Sequence, residues 1–251
     1  MTAIYEPRGK AREYSALAAN LYKGCAHACA YCFAPSATFI DREKFSSPDY
    51  IRPRAGILEA LEHDARKMAG DPRGILLSFT SDPYQPAEKN FKITRQAMEI
   101  LTAHGLTVTV LTKGGPWGIL RDMDLLKMNP SNAWSATLTF DDPAVSLGWE
   151  PGAALPAERI EALHIAHAAG IKTWVSFEPV IDPEAVYRLL DQTHVFVDFY
   201  RVGKLNYHPR AKEIDWVDFR ERIEAQLKRL GKAYYLKKDL REAQSRSVKI
   251  L

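Results

Sequence analysis

The sequence predicts one α/β domain, an open or partial (βα)6 barrel in which a parallel sheet is covered by outer helices. Its 251 residues suit a single domain of this class. Short apolar runs bounded by turn residues alternate along the chain with longer stretches of helical periodicity. We therefore expect residues 1–251 to form one domain, with a lead-in over residues 1–18 and a C-terminal helix and basic tail over residues 212–251.

Six strands and five intervening helices account for this pattern. The predicted strands cover residues 19–23, 75–80, 106–112, 133–140, 171–177 and 195–202. The predicted helices cover residues 55–69, 94–104, 117–127, 157–169 and 183–190. Glycines at positions 105 and 170 indicate helix ends, because glycine adopts the left-handed conformation at low cost. A last helix at residues 216–230 and a possible strand at residues 233–237 would close the domain.

Polar, glycine and proline clusters follow strand after strand. They occupy residues 81–86, 113–115, 141–143, 178–179 and 203–207. In barrels of this kind the reactive groups gather where strands run into loops. We expect the functional site at that end of the sheet.

Composition narrows the class of protein. Hydrophobic residues make up 46% and charged residues 26%, which is typical of a soluble protein with a large core. No apolar run approaches the roughly 18 to 20 residues that cross a bilayer, so we expect a cytoplasmic protein with no membrane partner. The net charge is only +3, but residues 228–251 contain eight Lys or Arg. This tail would suit phosphates or form a solvated helix face.

The three cysteines carry the strongest chemical signal. Cys25, Cys29 and Cys32 are the only cysteines and form the motif CxxxCxYCF directly after the first predicted strand. An odd number within eight positions argues against disulfides. Thiolates are the usual ligands of iron-sulfur clusters, with four per cubane. Three ligands would leave one iron with an open position for a substrate or cofactor.

Two other interpretations of this motif stay open. The three thiolates and His27 could bind zinc, or the thiols could be buried without a metal. Zinc is disfavoured because His27 lies between two of the cysteines and no second pair of ligands follows further along the chain.

The CxxxCxYC motif after the first strand of a βα barrel resembles the radical S-adenosylmethionine (SAM) superfamily, most closely its spore photoproduct lyase branch. That branch also has Thr-Ser-Asp after strand two and Thr-Lys after strand three, here residues 80–82 and 112–113. The resemblance implies a radical SAM barrel whose cofactors are a 4Fe-4S cluster and SAM, bound through its amino and carboxylate groups to the open iron. One electron would then yield methionine and a 5'-deoxyadenosyl radical that abstracts a hydrogen from the substrate.

The resemblance also implies catalytic and SAM-binding roles for individual residues. Tyr31 joins the three cluster cysteines as a catalytic residue. The implied SAM contacts are Tyr31, Phe33, Ser81, Asp82, Lys113, Ser135 and Thr137. Ser81 and Asp82 would meet the amino and ribose end of SAM, and Lys113 its carboxylate. Each also has an ordinary structural interpretation, as a turn starter, a loop cation or a strand residue.

Two positions depart from the lyase pattern. The lyases have a hydrogen-donating cysteine where this chain has Phe79, and a tyrosine where it has Phe33. These departures disfavour repair of the spore photoproduct and leave the cluster and SAM chemistry unaffected. The resemblance then favours a lyase- or isomerase-type enzyme that modifies or rearranges a thymine-derived base, as in bacteriophage DNA, with photoproduct repair by another hydrogen donor as an alternative.

Substrate contacts are predicted from the loops after the later strands. The candidates are Tyr84, Glu178, Arg201, Lys204, Tyr207 and His208. The cations among them suit phosphate or carboxylate, and the tyrosines suit stacking on a base. DNA held partly by Arg52 and Arg54, and a flavodoxin- or ferredoxin-type electron donor, are the expected partners. A peptide or small-molecule substrate, or a zinc-binding nucleic-acid module, are the competing hypotheses.

Overall fold

The structure is a computed structural model that describes residues 2–206 and 208–244. An eight-stranded sheet and a two-stranded sheet contain its strands. In chain order these are β1 (Ile4–Tyr5), β2 (Leu17–Ala19), β3 (Tyr22–Lys23), β4 (Arg52–Pro53), β5 (Ile75–Leu77), β6 (Val108–Thr112), β7 (Ala133–Thr137), β8 (Lys172–Val180), β9 (Phe199–Lys204) and β10 (Ala233–Leu236).

The large sheet runs in the order β1-β2-β5-β6-β7-β8-β9-β10. All its neighbours from β2 to β10 are parallel, and only β1 pairs antiparallel at the edge. The strands β3 and β4 form a separate antiparallel pair. The predicted α/β fold, a partial barrel with a mostly parallel sheet and outer helices, is therefore confirmed.

Eleven α-helices surround the sheet in the described part of the chain. They are α1 (Ala34–Thr38), α2 (Arg42–Ser46), α3 (Ile57–Lys67), α4 (Glu88–Phe91), α5 (Ile93–Ala103), α6 (Pro116–Leu126), α7 (Pro143–Trp149), α8 (Pro156–Ala168), α9 (Pro183–Thr193), α10 (Trp216–Arg229) and α11 (Lys238–Arg241). The six long helices match the predicted ones, with ends displaced by a few residues. The short helices were not predicted because so few residues show no helical period.

The first predicted strand is wrong in its bounds. Residues 19–23 are split between β2, in the large sheet, and β3, which leaves it to pair with β4. Asn20 lies at the break. Its side-chain oxygen accepts the backbone N–H groups of Phe79 (2.8 Å) and Thr80 (3.0 Å), so a side chain takes over where the strand pairing stops. The cysteine loop thus begins on β3, outside the large sheet.

Both ends of the chain contribute more to the sheet than expected. The lead-in over residues 1–18 includes β1 and the first residues of β2. At the other end, β10 pairs in parallel with β9 and extends the barrel wall. No helix within residues 2–206 and 208–244 is long and apolar enough to span a bilayer.

The two faces of the sheet have different roles. The outer face packs under the helices through buried side chains such as Leu77, Val110 and Val202. The inner face is apolar near the strand beginnings, where Ala18, Leu76, Ala133 and Trp174 pack together. A cavity of about 580 Å³ opens at that end, opposite the loops that follow the strands. The carboxyl ends of the strands carry the candidate site.

Candidate active site

The cysteine loop lies above the carboxyl ends of the strands and is anchored where it begins. Gly24 has φ +71°, and a Cβ there would lie 2.6 Å from the carbonyl oxygen of Phe45, so the position requires glycine. The backbone N–H of Cys25 donates to that same oxygen at 3.2 Å. Cys29 is buried, while Cys25 and Cys32 are half-buried. The last residues of α2 and the β3–β4 pair thus hold one side of the loop.

Two polar side chains clamp the loop backbone. The buried Gln85 accepts the N–H of Ala26 at 2.9 Å and donates to the carbonyl of Gly24 at 3.2 Å. Arg42 donates to the carbonyl oxygens of Cys29 (3.0 Å) and Cys32 (2.9 Å). These bonds satisfy backbone groups of a loop that has no ladder partner. They hold the cysteines in place independently of any metal.

The segment after α7 packs on the other side of the loop. The N–H of Ala30 donates to the carbonyl of Trp149 at 2.8 Å, and the N–H of Gly152 donates to that of His27 at 3.1 Å. Gly152 approaches so closely that an added Cβ would overlap the carbonyl oxygen of Ala26 and lie 2.9 Å from its carbonyl carbon. Only glycine fits this contact.

A buried ion pair lies behind the cysteines. Glu150 and Arg159 are each 1% exposed, and Arg159 Nη2 donates to Glu150 Oε2 at 2.5 Å. The Tyr31 hydroxyl donates to Glu150 Oε1 and also lies 3.3 Å from the hydroxyl oxygen of Thr139. Burial raises the pKa of Tyr31 well above its usual value, and Glu150 adds to the effect. Burial alone would raise the pKa of Glu150, but Arg159 and Lys113 lower it. The carboxylate is therefore ionised and the phenol neutral.

Lys113 and Ser81 present unused polar groups beside this network. The Lys113 ammonium lies 5.5 Å from the centre of the Tyr31 ring and has no hydrogen-bond acceptor among the described residues. Burial lowers its pKa, but the charges of Cys29 and Glu150 outweigh burial and raise it. The Ser81 hydroxyl is buried without a partner in the described part of the chain. A cation and a hydroxyl in this state suit the carboxylate and the amino or ribose groups of SAM.

Asp82 is held by the protein itself. One carboxylate oxygen accepts the N–H of Tyr84 (2.8 Å) and the hydroxyl of Thr112 (2.6 Å), and the other accepts the N–H of Lys113 (2.7 Å). His27 Nδ1 lies 3.4 Å from the second oxygen. Asp82 therefore ties the loops after β5 and β6 to the cysteine loop. Its contact with SAM stays a prediction.

Two of the thiols need a cationic partner to ionise. Burial raises the pKa of Cys29 to about 11 and raises that of Cys25 further, so these two thiols stay protonated at neutral pH when no metal binds them. Metal ligation deprotonates such thiols. Within residues 2–206 and 208–244, no group of three or more Cys, His, Asp or Glu side chains is arranged around a single metal ion. In a cubane each thiolate binds a different iron.

The remaining predicted SAM contacts fall into two groups. Phe33 is 56% exposed beside the third cysteine, and the Thr137 hydroxyl has no hydrogen-bond partner among the described residues. Ser135 is fully buried and its hydroxyl donates to the carbonyl of Val110, so its predicted use as a SAM contact is not supported by its position. Thr137, two residues further along β7, remains the candidate of this pair.

Two predicted substrate contacts are wrong. Tyr84 is 1% exposed and donates to the buried Asp122 at 2.8 Å, so its ring is part of the core and cannot stack on a base. Lys204 lies 5.0 Å over the Trp216 ring, on the helix side of the sheet. Side chains alternate along a strand, and Gly203, which packs on Glu178, takes the inner position instead.

Arg201 lies on the inner wall but not at the cysteine end. It donates to the carbonyl of Glu13 and is enclosed by aromatic rings that include Tyr14 and Trp174, each about 5.4 Å from its guanidinium. It lines the cavity at the strand beginnings. The guanidinium is thus engaged by the protein itself, and the predicted phosphate contact of Arg201 stays a prediction.

Glu178 lies within β8, not after it, and its side chain packs against Gly203 on the inner wall, where its predicted substrate contact stays a prediction. Lys237, which is 3% exposed, donates to both of its carboxylate oxygens at 2.9 Å, and the Tyr14 hydroxyl donates to Oε2 at 2.5 Å. Tyr14 also lies 2.7 Å from the hydroxyl oxygen of Ser176. Lys237 belongs to the basic tail that was predicted to suit phosphates or to form a solvated helix face, and it is instead buried in the barrel.

The last predicted residues lie near the end of β9. His208 packs 5.3 Å from the Trp149 ring and accepts the N–H of Arg210 at 3.2 Å. Its place beside α7 is on the cysteine side of the barrel. Tyr207, and Arg246 and Lys249 of the basic tail, lie outside the described residues.

Sequence reasoning missed Glu150 and Gln85, and it missed the buried position of Lys237. Each of these polar residues has a hydrogen-bond partner at least 59 positions away in the chain, and no local spacing predicts such a pair. Gln85 had a partial signal, since it belongs to the polar run after β5. The buried Ser78, whose hydroxyl has no partner within the described ranges, follows the same strand.

The fold and site define a βα barrel enzyme with a three-thiolate loop at the carboxyl end of its sheet. The family model of the "Radical SAM superfamily" matches residues 19–191, and the chain belongs to that superfamily. An uncharacterized protein of Methanocaldococcus jannaschii is 30% identical over 189 residues, 74% of this chain and 69% of that protein. An uncharacterized protein of Mycobacterium tuberculosis is 28% identical over 167 residues, 64% of this chain. The chain spans about half (48%) of the mycobacterial protein's length.

Solved structures show the same fold. A variant of spore photoproduct lyase superposes with TM-score 0.67 at 14% identity, over 92% of this chain and 78% of that chain. SuiB of Streptococcus suis, bound to SAM, gives TM-score 0.60 at 11% identity, over 86% of this chain and 45% of that chain. The superfamily uses a 4Fe-4S cluster and SAM, and these are the cofactors of this chain. Cys25, Cys29 and Cys32 would hold the cluster, with Lys113 and Ser81 toward SAM.

Proposed function

We propose that this radical SAM enzyme modifies or rearranges a thymine-derived base in DNA, by a lyase- or isomerase-type reaction. When bound, the cluster and SAM together supply a 5'-deoxyadenosyl radical that removes a hydrogen atom from the substrate. The observation that carries the proposal is the likeness to spore photoproduct lyase, which was solved with a dinucleoside spore photoproduct and superposes on 92% of this chain with TM-score 0.63. The barrel wall and the rim of the cysteine loop supply further support.

The inner wall offers groups that match a pyrimidine base. Glu178 is 16% exposed, and among residues 2–206 and 208–244 its Oε1 accepts a hydrogen bond only from Lys237, at 2.9 Å. A carboxylate oxygen accepts two hydrogen bonds, so Oε1 could take an imide N–H. The Lys237 ammonium could share its third proton with a base carbonyl. Tyr14 fixes the carboxylate from the far side, and its hydroxyl is itself hydrogen-bonded to Ser176. This wall would orient the base and exclude water from the radical.

Phosphates would be held at the rim. Lys23 and Arg52 are exposed and directly opposite each other across the β3–β4 pair, two residues from Cys25. A base has to be extruded from the duplex to reach the interior of a barrel, which leaves its backbone outside. Two adjacent cations beside the cysteine loop suit that backbone. Arg54 is half-buried and is the weaker candidate.

Modification is favoured over photoproduct repair by the residue at position 79. Phe79 replaces the cysteine that the resemblance assigns to hydrogen return, and its ring lies 6.1 Å from that of Tyr14 on the inner wall. The sequence has no thiol besides the three of the cluster motif. Repair would need another hydrogen donor.

The electron that starts the reaction would come from a flavodoxin- or ferredoxin-type protein. Phe33 and Phe39, which are 56% and 95% exposed, lie beside the cysteine loop and offer a docking surface for such a donor. A reduced donor and free thiols fit a reducing compartment, so we place the enzyme in the cytoplasm. We propose that residues 1–251 act as one domain.

Deuterium transfer tests the substrate. The anaerobically reconstituted enzyme is reduced with dithionite and incubated with SAM and with DNA that carries fully deuterated thymine or its hydroxymethyl derivative. Deuterium in 5'-deoxyadenosine or recovered SAM, together with a changed base, would support the proposal. Glu178→Gln should cut transfer while leaving cluster content unchanged. SAM cleavage without any deuterium transfer would refute a DNA base as substrate and favour a peptide or small molecule.

Salt-dependent DNA binding tests the rim. Replacing Lys23 and Arg52 by Ala should reduce the slope of log K against log salt by about 2, roughly one for each lost phosphate contact. The matched control replaces the exposed Lys127 and Lys172, which lie away from the cysteine loop. Equal slopes for the two double variants would contradict the assignment.

A further inference from the structure

We propose that Glu150 is a positioning residue for the iron-sulfur cluster: it fixes the Tyr31 phenol and thereby the backbone between Cys29 and Cys32. Neither the sequence pattern nor the likeness to solved structures assigns this residue. The proposal rests on the superfamily membership and on contacts of the chain itself. It is independent of the identity of the substrate.

The Glu150 carboxylate is enclosed and fully used. It is 1% exposed and accepts hydrogen bonds from Tyr31, from Arg159 Nη2 at 2.5 Å and from the Ser146 hydroxyl at 3.2 Å. A buried carboxylate with three donors has one low-energy position. The phenol that points at it is therefore held in one position too.

The position of Tyr31 in the sequence transmits this constraint to the cluster. Tyr31 stands between Cys29 and Cys32, and its neighbour Ala30 donates its N–H to the carbonyl of Trp149 at 2.8 Å. The Tyr31 side chain and the Ala30 backbone are thus hydrogen-bonded to Glu150 and Trp149, two consecutive residues at the end of α7. The stretch cannot shift without breaking both bonds.

The far side of the network is rigid. Arg159, on α8, donates to the carbonyl oxygens of Ala154 (2.7 Å) and Thr137 (3.1 Å) as well as to Glu150. Helix α8 and strand β7 therefore support the carboxylate. Groups that orient metal ligands from behind typically change metal affinity or activity by roughly 10- to 100-fold when replaced.

A purely structural role makes a different prediction. If Glu150 served only to neutralise Arg159, its loss would weaken the fold and leave the spectrum of the bound cluster unchanged. If it positions Tyr31, then Tyr31→Phe, which keeps the ion pair, should reproduce the effect of Glu150→Gln on the cluster. The pair of variants therefore separates the two roles.

The experiment compares reconstituted wild-type enzyme with Tyr31→Phe, Glu150→Gln and the double variant. Glu161→Gln, at an exposed position on α8, is the matched control. The readouts are the EPR spectrum of the reduced cluster with and without SAM and the rate of iron release to a chelator. Each single variant should alter the spectrum and release iron roughly ten-fold faster or more. The double variant should be no worse than the stronger single variant, since both remove one contact.

Wild-type spectra and release rates in Tyr31→Phe would overturn the proposal, and so would additive effects of the two substitutions. If Glu150→Gln fails to fold because Arg159 loses its partner, Tyr31→Phe alone still decides, because the Glu150–Arg159 pair remains intact in it. Any change in the control equal to that in the single variants would also count against the assignment.

Discussion

Replacing Gly152 by Ala should displace the cysteine loop. The added Cβ would overlap the carbonyl oxygen of Ala26 and lie 3.0 Å from the Cα of His27. Carbon and carbonyl oxygen approach no closer than about 3.3 Å, so one of the two segments has to move by about 1 Å. The atoms that this Cβ would meet belong to the backbone, which cannot swing aside as a flexible side chain does.

The magnitude follows from overpacking. Such insertions cost roughly 1–3 kcal/mol, and for a protein of this size each kcal/mol lowers the melting temperature by about 2–4 °C. The chemical effect should be larger, because a misplacement of about 1 Å at a reacting group can cost roughly 100-fold in rate. We expect Gly152→Ala to retain the fold and to lose most of its SAM cleavage.

The assay measures iron content, melting temperature and 5'-deoxyadenosine formation side by side. Gly148→Ala is the matched control, since it lies in the same segment, within α7, and a Cβ there has no atom within 4 Å. Alanine also favours a helix over glycine by up to about 1 kcal/mol. Gly152→Ala with wild-type iron content and cleavage would refute the close contact.

Three further outcomes follow from the site. Lys113→Ala should weaken SAM binding to the oxidised, reconstituted enzyme by roughly 10-fold or more in equilibrium dialysis, and Lys127→Ala should not. Tyr84→Phe should cost about 1–3 kcal/mol in urea unfolding, because Asp122 loses a buried donor, and leave SAM cleavage unchanged; a substrate role would give the reverse. Burial would raise the pKa of Asp82, but His27 and its hydrogen-bond donors lower it to about 2. Because this pKa lies below the unfolded-state value, ionised Asp82 stabilises the fold fully above about pH 4, and this stabilisation is lost as the pH falls towards 2. Asp82→Asn should therefore make the free energy of unfolding of the apoprotein depend less on pH in the acid range.

The elements with strong local signals could be predicted from the sequence. The long helices show a clear period, and the three-thiolate loop after the first strand has a spacing that few other structures use. The end of the first strand could not be predicted, because Asn20 ends β2 through bonds to backbone groups about 60 positions away. No window of the sequence contains that information.

The same limit applies to the site. The predicted role of Lys204 was wrong because strand alternation, set by the register with β8, turns it toward Trp216. Tyr84 follows a strand as a site residue would, yet its ring is buried against the core by long-range packing. The role of Glu150 could not be predicted from the sequence, because its partners, Tyr31 and Arg159, lie on separate elements.

Mössbauer spectroscopy of the enzyme reconstituted with ⁵⁷Fe, with and without SAM, tests most directly that Cys25, Cys29 and Cys32 leave one iron of a cubane free for SAM. Addition of SAM should change the signal of about one quarter of the iron, and reduction should then release 5'-deoxyadenosine. Iron sites that are all insensitive to SAM, or zinc in place of iron, would contradict the assignment.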